Sequence, residues 1–352
     1  MQTYRCFLIA VIALVTCITA DAQIGWRSLP AFPASARGIA ATSANGKLYA
    51  FAGEGSQETP LGSVYEFNPA TNAWTKKKPM PLPAHHIAIA EYNGKIYAFG
   101  GFKKPASGQL AWEAIDNSWE YDPGNDTWKP LKSMPSARGG ASAAAINGKV
   151  YVMGGAGVHP GMKNMPLVIG PDGTPNRSLD SVEEYDVASG SWRAPTTLPT
   201  PRNDFALAAV NGKLYAIGGR MGSAFPLFGS DTEVVEEYNP ADNTWGSERA
   251  KMSTPRAAMS WGVFNGRVAV VGGELTDARV TAMFRTAEAY EPATNQWSVL
   301  PTVPSDRMPQ TGAFIGDTFY LISIYNGHRL LTGERKDSEG SPFDALRLSN
   351  WK

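Results

Sequence analysis

The sequence predicts an all-β fold, a six-bladed β-propeller whose blades each carry four strands. Three observations predict it. One pattern recurs down the chain in five nearly complete copies. A sixth copy near the C-terminus lacks its last strand. A segment matching that strand stands near the N-terminus. Repeats govern how the length is read, since 352 residues without them would suggest two domains.

Each copy opens on a small, apolar stretch preceded by a basic residue and closed by an Asn-Gly pair. The pairs are Asn45-Gly46, Asn93-Gly94, Asn147-Gly148, Asn211-Gly212 and Asn265-Gly266. Both residues of such a pair accept positive φ, so a two-residue hairpin turn joins first strand to second. The second strand reads Leu48-Tyr49, Ile96-Tyr97, Val150-Tyr151 and Leu214-Tyr215, with Val268-Ala269 in the fifth copy. It ends on two glycines at 100–101, 154–155, 218–219 and 272–273, and on Ala52-Gly53 in the first copy. Glycine at a strand end permits close backbone approach, expected here at a crowded propeller axis.

The third strands are Val64–Phe67, Ser118–Tyr121, Val182–Tyr185, Val235–Tyr238 and Ala287–Tyr290. Their turns read Asn68-Pro69, Asp122-Pro123, Asp186-Val187, Asn239-Pro240 and Glu291-Pro292. Proline presets φ at the first corner, and Asn or Asp bonds back to the local backbone. Fourth strands begin at Trp74, Trp128, Trp192, Trp245 and Trp297. These aromatic rings are expected to pack between blades and not to form a ligand box.

The double glycine, the Tyr and the Trp at this spacing resemble the kelch repeat over nearly all of residues 26–349. The resemblance implies four-stranded blades stacked radially. The sixth copy starts at Arg307, turns at Gly316-Asp317 and carries Tyr320 in the tyrosine place, with Ser323-Ile324 instead of two glycines. Its third strand is Asp344–Leu348. Trp26-Arg27-Ser28-Leu29-Pro30 matches a fourth strand, so the N-terminal strand is expected to close the last blade and remove free sheet edges.

Lys+Arg and Asp+Glu are each 32, which gives no global pull toward nucleic acid or an anionic membrane. Residues 1–22 read as a signal peptide: Arg5 in a short n-region, an apolar run from Phe7 to Thr19, and an Ala20-Asp21-Ala22 cleavage site. The propeller then spans 23–352. Export to the periplasm or the medium follows, with no transmembrane segment because the apolar run is too short. A lipoprotein lipidated at Cys17 is the rival reading. Both cysteines, Cys6 and Cys17, lie in the signal, so the mature chain has no disulfide and no thiolate nucleophile.

The connections between the glycines and the third strand vary most in length: Glu54–Ser63, Phe102–Asn117, Ala156–Ser181, Arg220–Val234 and Glu274–Thr286. They emerge on one face, which marks it as the binding face. Near that face, where first strands start, the copies place Arg37, His85 or His86, Arg138, Arg202, Arg256 and Arg307. Two readings stand. The basic residues converge into a pocket for a carboxylate or phosphate, or the arginine belongs to the repeat and pairs with backbone or carboxylates. Asn203 and Asp204 add polar groups, and Arg220 and Glu274 follow glycine pairs and should reach the channel mouth. Trp112 and Phe225 stand in the same connections, and His159 and His328 are isolated, so neither a metal nor any other cofactor is expected.

The function expected is binding of an anionic sugar, another small ligand or a protein partner on the loop face. The alternative is a sugar mutarotase. Export, six blades and a basic pocket resemble the N-acetylneuraminate epimerase family, and Glu274 with Arg279 resembles that family's glutamate and arginine at a spacing one residue shorter. The sequence carries no signal of oligomeric state.

Overall fold

The computed structural model describes residues 25–34, 37–55, 59–104, 112–157, 176–224, 229–276, 281–304, 307–325 and 340–348. The proposed signal, residues 1–22, lies outside them. The described chain is built of strands in six four-stranded antiparallel sheets. The first five, innermost strand first, are Arg37–Ala44, Lys47–Glu54, Val64–Asn68 and Ala73–Lys77; Ala88–Tyr92, Lys95–Phe99, Ser118–Asp122 and Thr127–Pro130; Ser142–Ile146, Lys149–Met153, Ser181–Asp186 and Ser191–Thr197; Ala206–Val210, Lys213–Ile217, Val235–Asn239 and Thr244–Trp245; and Ser260–Phe264, Arg267–Val271, Ala287–Glu291 and Gln296–Leu300. Each Asn-Gly turn has positive φ at both residues, as with Asn45 at 51° and Gly46 at 74°.

The sixth blade runs Arg307–Ile315, Thr318–Tyr325, Phe343–Arg347 and then Trp26–Ser28. Trp26 lies opposite Leu346 and Ser28 opposite Asp344, so the N-terminal strand closes the ring as its sequence predicts. Trp26 also takes the role of a repeat tryptophan. Trp128, Trp192 and Trp297 donate their indole N–H to the carbonyls of Lys78, Lys132 and Ala250, each just past the outer strand of the blade before. Trp26 donates to Pro301 in the same way, at 2.8 Å.

Both faces of every blade are apolar because both are buried. Along the second strand of blade 1, Leu48 and Ala50 face blade 6 while Tyr49 and Phe51 face blade 2. Six apolar clusters result, one at each junction between blades. The innermost strands surround a channel of about 450 Å³. Small residues such as Ala41, Ala90, Ala143, Ala208, Gly262 and Ala313 let six strands converge there.

The glycine pairs serve the junctions and not the axis. The Gly101 amide donates to the Arg138 carbonyl of the next blade at 2.8 Å, and a Cβ on Gly100 would stand 2.3 Å from that oxygen. Gly155 and Gly219 repeat the bond to Arg202 and Arg256. The expectation of a close approach holds, but its partner is the neighbouring blade.

Closure through the N-terminal strand predicts a large effect from a small change. Trp26→Ala removes a junction ring and its hydrogen bond and should cost about 3 kcal/mol in urea unfolding. Deleting residues 25–30 should lower Tm further, and an unchanged Tm contradicts the closure.

Candidate functional site

The repeat arginines begin the site, and the structure corrects the basic pocket. Arg138, Arg202 and Arg256 are at most 1% exposed. Arg138 donates Nη1 to the carbonyls of Gly154 and Ser181 at 3.0 and 3.1 Å, and Nη2 to Glu183 at 2.6 Å. Arg202 reaches Gly218 and Val234 carbonyls and pairs with Glu236 at 2.9 Å. Arg256 does the same with Gly272, Thr286 and Glu288. Each guanidinium ties its blade's glycine pair to its own third strand, so three predicted ligand arginines belong to the wall. Burial pulls the Arg138 guanidinium down and pushes the Glu183 carboxyl up, each against the attraction of its partner. Desolvation therefore dominates, and these pairs fix geometry more than they add stability.

The other basic residues occupy a different register. Arg37 lies opposite Glu54, and His85 opposite Phe102. Their counterparts are Gly139 opposite Ala156, Asn203 opposite Arg220, and Ala257 opposite Glu274. Arg37 and His85 thus stand one place beyond the arginine slot, which Ala84 fills in blade 2. A bulge between Pro309 and Thr311 moves Arg307 opposite Tyr325, again one place on. The side chain of Arg307 and all of Arg279, Phe225, His159 and His328 lie outside the described residues.

One residue further in, Gly38, His86, Gly140, Asp204 and Ala258 form a collar at the channel mouth. All five have positive φ, between 51° and 63°. Their amides and carbonyls bond from blade to blade: His86 to Gly38, Gly140 to His86, Asp204 to Gly140 and Ala258 to Asp204, each at 2.8 Å. Gln310, at the bulge, lines the channel for blade 6. The polar side chains His86, Asp204 and Gln310 alternate with Gly38, Gly140 and Ala258. The alternation has a steric reason in two places. A Cβ on Gly38 would strike the His86 ring at 2.4 Å, and one on Gly140 would meet Asp204 Oδ1 at 2.8 Å.

Two clusters flank this collar. On blade 2, the rings of His85, His86, Phe102 and Trp112 pack together, with centroids 4.8 to 6.2 Å apart. Burial, then the neighbouring His86, drives the His85 pKa down to about 2, so its ring is neutral; Nδ1 stands 2.6 Å from Nδ1 of His86. Between blades 4 and 5, Arg220 meets three carboxylates: Glu274 at 2.5 Å, Asp231 at 3.3 Å and Asp204 at 3.4 Å. Burial lifts Asp231 from 3.8 to about 6, against the pull of Arg220. Arg220 and Glu274 directly follow their glycine pairs; neither lines the channel itself, but Arg220 reaches Asp204, which does.

The variable connections rise above the collar as short ribbons: Phe102–Lys103 with Glu113–Ala114, Ala156–Gly157 with Arg177–Ser178, Arg220–Met221 with Ser230–Asp231, and Glu274–Thr276 with Thr281–Met283. They bond to one another. Asn176 donates to the Trp112 carbonyl, Ser178 to Gly222, and the Thr276 amide to Asp231 Oδ2. A continuous wall covers blades 2 to 5.

Sequence reasoning missed Glu183, Glu236 and Glu288. A signal exists. The position two before the third-strand Tyr is Glu in the copies with a buried arginine, but Trp119 in the copy that has Ala84. Two predictions follow from this geometry. Arg256→Met should cost about 3–5 kcal/mol by leaving Glu288 buried and unpaired, and adding Glu288→Met should recover most of it; a single-variant loss below about 1 kcal/mol would deny the structural role. Asp231 binds its proton more tightly folded than unfolded. Its contribution to stability is therefore full below about pH 4 and lost as pH rises through 6. The Tm of Asp231→Asn minus that of wild type should rise across that window, and a flat difference contradicts the assignment.

Comparison with known proteins agrees with this architecture. The KLHDC2/KLHL20/DRC7 Kelch-repeats domain matches residues 26–165 and the Kelch motif matches residues 201–245. Kelch-like protein terF of Aspergillus terreus is 27% identical over 271 residues, 74% of this chain and 55% of that protein. Kelch-like protein 23 of Homo sapiens is 25% identical over 245 residues, 70% of this chain and 38% of that protein. The chain thus spans about half or less of the length of these relatives. The solved structure of YjhT superposes with a TM-score of 0.66 at 18% identity, over 90% of this chain and 95% of that one, a likeness of fold. With the double glycines, the junction tryptophans and six four-stranded blades in place, the chain belongs to the kelch-repeat family.

Proposed function

We propose that this kelch propeller is a binding scaffold that holds a protein partner on its loop face, exported if residues 1–22 act as a signal. The observation that carries the reading is the division of labour within each copy. The repeated arginines, glycines and tryptophans are used within and between blades. The segments that differ between copies join into one wall beside the channel mouth. A rigid ring with a variable wall on one face suits recognition, and fold alone assigns no chemistry. A small ligand at the mouth fits the same surface, but three arginines that would have gripped an anion are withdrawn from it.

The mutarotase alternative rests on Glu274 as a proton carrier. Glu274 stands beside the mouth, yet its carboxylate is held by Arg220 at 2.5 Å, which favours a positioning role over proton transfer.

The scaffold reading is tested by proteins retained on the immobilised mature chain. Replacing residues 158–175 by a short Gly-Ser linker should release the retained partner. An insertion at the Asn211-Gly212 turn, where Gly212 has open space on the opposite face, should not. Loss with the turn insertion and retention with the loop replacement would reverse the face and overturn the reading.

A further inference from the structure

We infer that the blade 4–5 side of the channel mouth is a receptor for a cationic group, a guanidinium or ammonium carried on a basic side chain of the partner. The inference rests on the scaffold reading and reverses the charge that the arginine pattern first suggests.

Charge is the first ground. Arg220 is one positive group among three carboxylates, those of Asp204, Asp231 and Glu274. Asp204 lines the channel, and Glu274, which follows Gly273 beside the channel lining, keeps 16% of its side chain exposed. Arg37 is the cationic residue of blade 1 at the equivalent height, on another part of the ring.

An unmatched acceptor is the second and independent ground. Asn203 is fully buried, and its Oδ1 has no hydrogen-bond donor among the described residues. Its orientation is fixed by chemistry. Nδ2 stands among three oxygens, Ser178 Oγ at 2.7 Å and the Arg220 and Ser223 carbonyls at 3.2 Å, so a flipped amide would set oxygen against carbonyl oxygen. Asn203 Cβ and the Asp204 carboxylate both stand over Gly140. Asp231 Oδ1 pairs with Arg220 Nε by charge but lacks hydrogen-bond geometry. Arg220 Nε and Asp231 Oδ1 are equally unmatched, so the acceptor left over is Asn203 Oδ1. A guanidinium or ammonium brings donors and positive charge together.

Space is the third ground. Gly140 and Ala258 flank Asp204 in the collar, and its side chain keeps 15% exposure beside Arg220. The His86 ring, two blades away, lines the channel on the aromatic side.

The probe is acetyl-Gly-Gly-Arg-Gly-Gly-amide, with the Glu peptide of the same length as control, titrated into the mature protein and followed by saturation-transfer NMR. The arginine peptide should bind saturably and the glutamate peptide should not. Asp204→Asn keeps a residue type that tolerates the positive φ at this position, so Tm should hold while affinity falls about tenfold. Glu274→Gln should weaken binding in the same direction. Equal binding of the two peptides, no saturable arginine signal, or an unchanged affinity in Asp204→Asn overturns the site. The same variant separates this inference from the scaffold reading. A partner that is released by replacing residues 158–175 but kept by Asp204→Asn ends the cation site and leaves the scaffold standing.

Discussion

The buried guanidinium in the segment just ahead of the first strand is the constraint on which blades 3, 4 and 5 depend. It holds the glycine-pair carbonyl and a third-strand carbonyl with one nitrogen and a third-strand carboxylate with another. The same residue's own carbonyl accepts the glycine amide of the preceding blade. One arginine therefore sets the register inside a blade and the contact between blades. Burying a full charge is expensive, and both members of the Arg138–Glu183 pair shift toward neutrality because of it. The gain lies in specificity, because a slip by one residue would leave a buried charge without its partner.

Ring closure rests on the same economy of parts. The mature chain has no cysteine to staple it if residues 1–22 are removed, so packing and strand exchange have to hold the ends together. Trp26 fills the slot of the repeat tryptophan and bonds to Pro301, just past the outer strand of blade 5. Small residues on the inner strands let the ring tighten to a channel, and the collar of inter-blade amide bonds finishes its mouth. Rigid walls built this way leave the charged groups of the mouth in fixed places.

Much of the fold was legible in the sequence because its signals are local. Asn-Gly, the glycine pair and the Trp each demand a particular backbone or a particular junction, and Trp26 read as a displaced fourth strand for that reason. The destination of the arginines was not legible from one position alone. A basic residue at a strand start looks alike whether it faces a channel or a carboxylate, and only the matching Glu183, Glu236 and Glu288 on a distant strand decide it. Arg37 and His85 stand outside the arginine slot because each lies one residue closer to its Asn-Gly turn than Arg138, Arg202 and Arg256 do to theirs. The bulge that shifts Arg307 has no sequence signature beyond Pro309. The acid-rich side of the mouth was hidden for a further reason: Asp204, Asp231 and Glu274 come from three separate segments.

The electrostatic consequence is a mouth whose character comes from the residues that vary between copies and not from those that repeat. Titrating the mature protein with citrate, while following the arginine Nε–H signals by 1H–15N NMR and their exchange with water, tests this most directly. The account predicts that the Nε–H signals of Arg138 and Arg202, which donate to the carbonyls of Ser136 and Thr200, exchange slowly and do not move with citrate. Rapid exchange together with citrate-dependent shifts at these two residues would place them in an open anion pocket and contradict it.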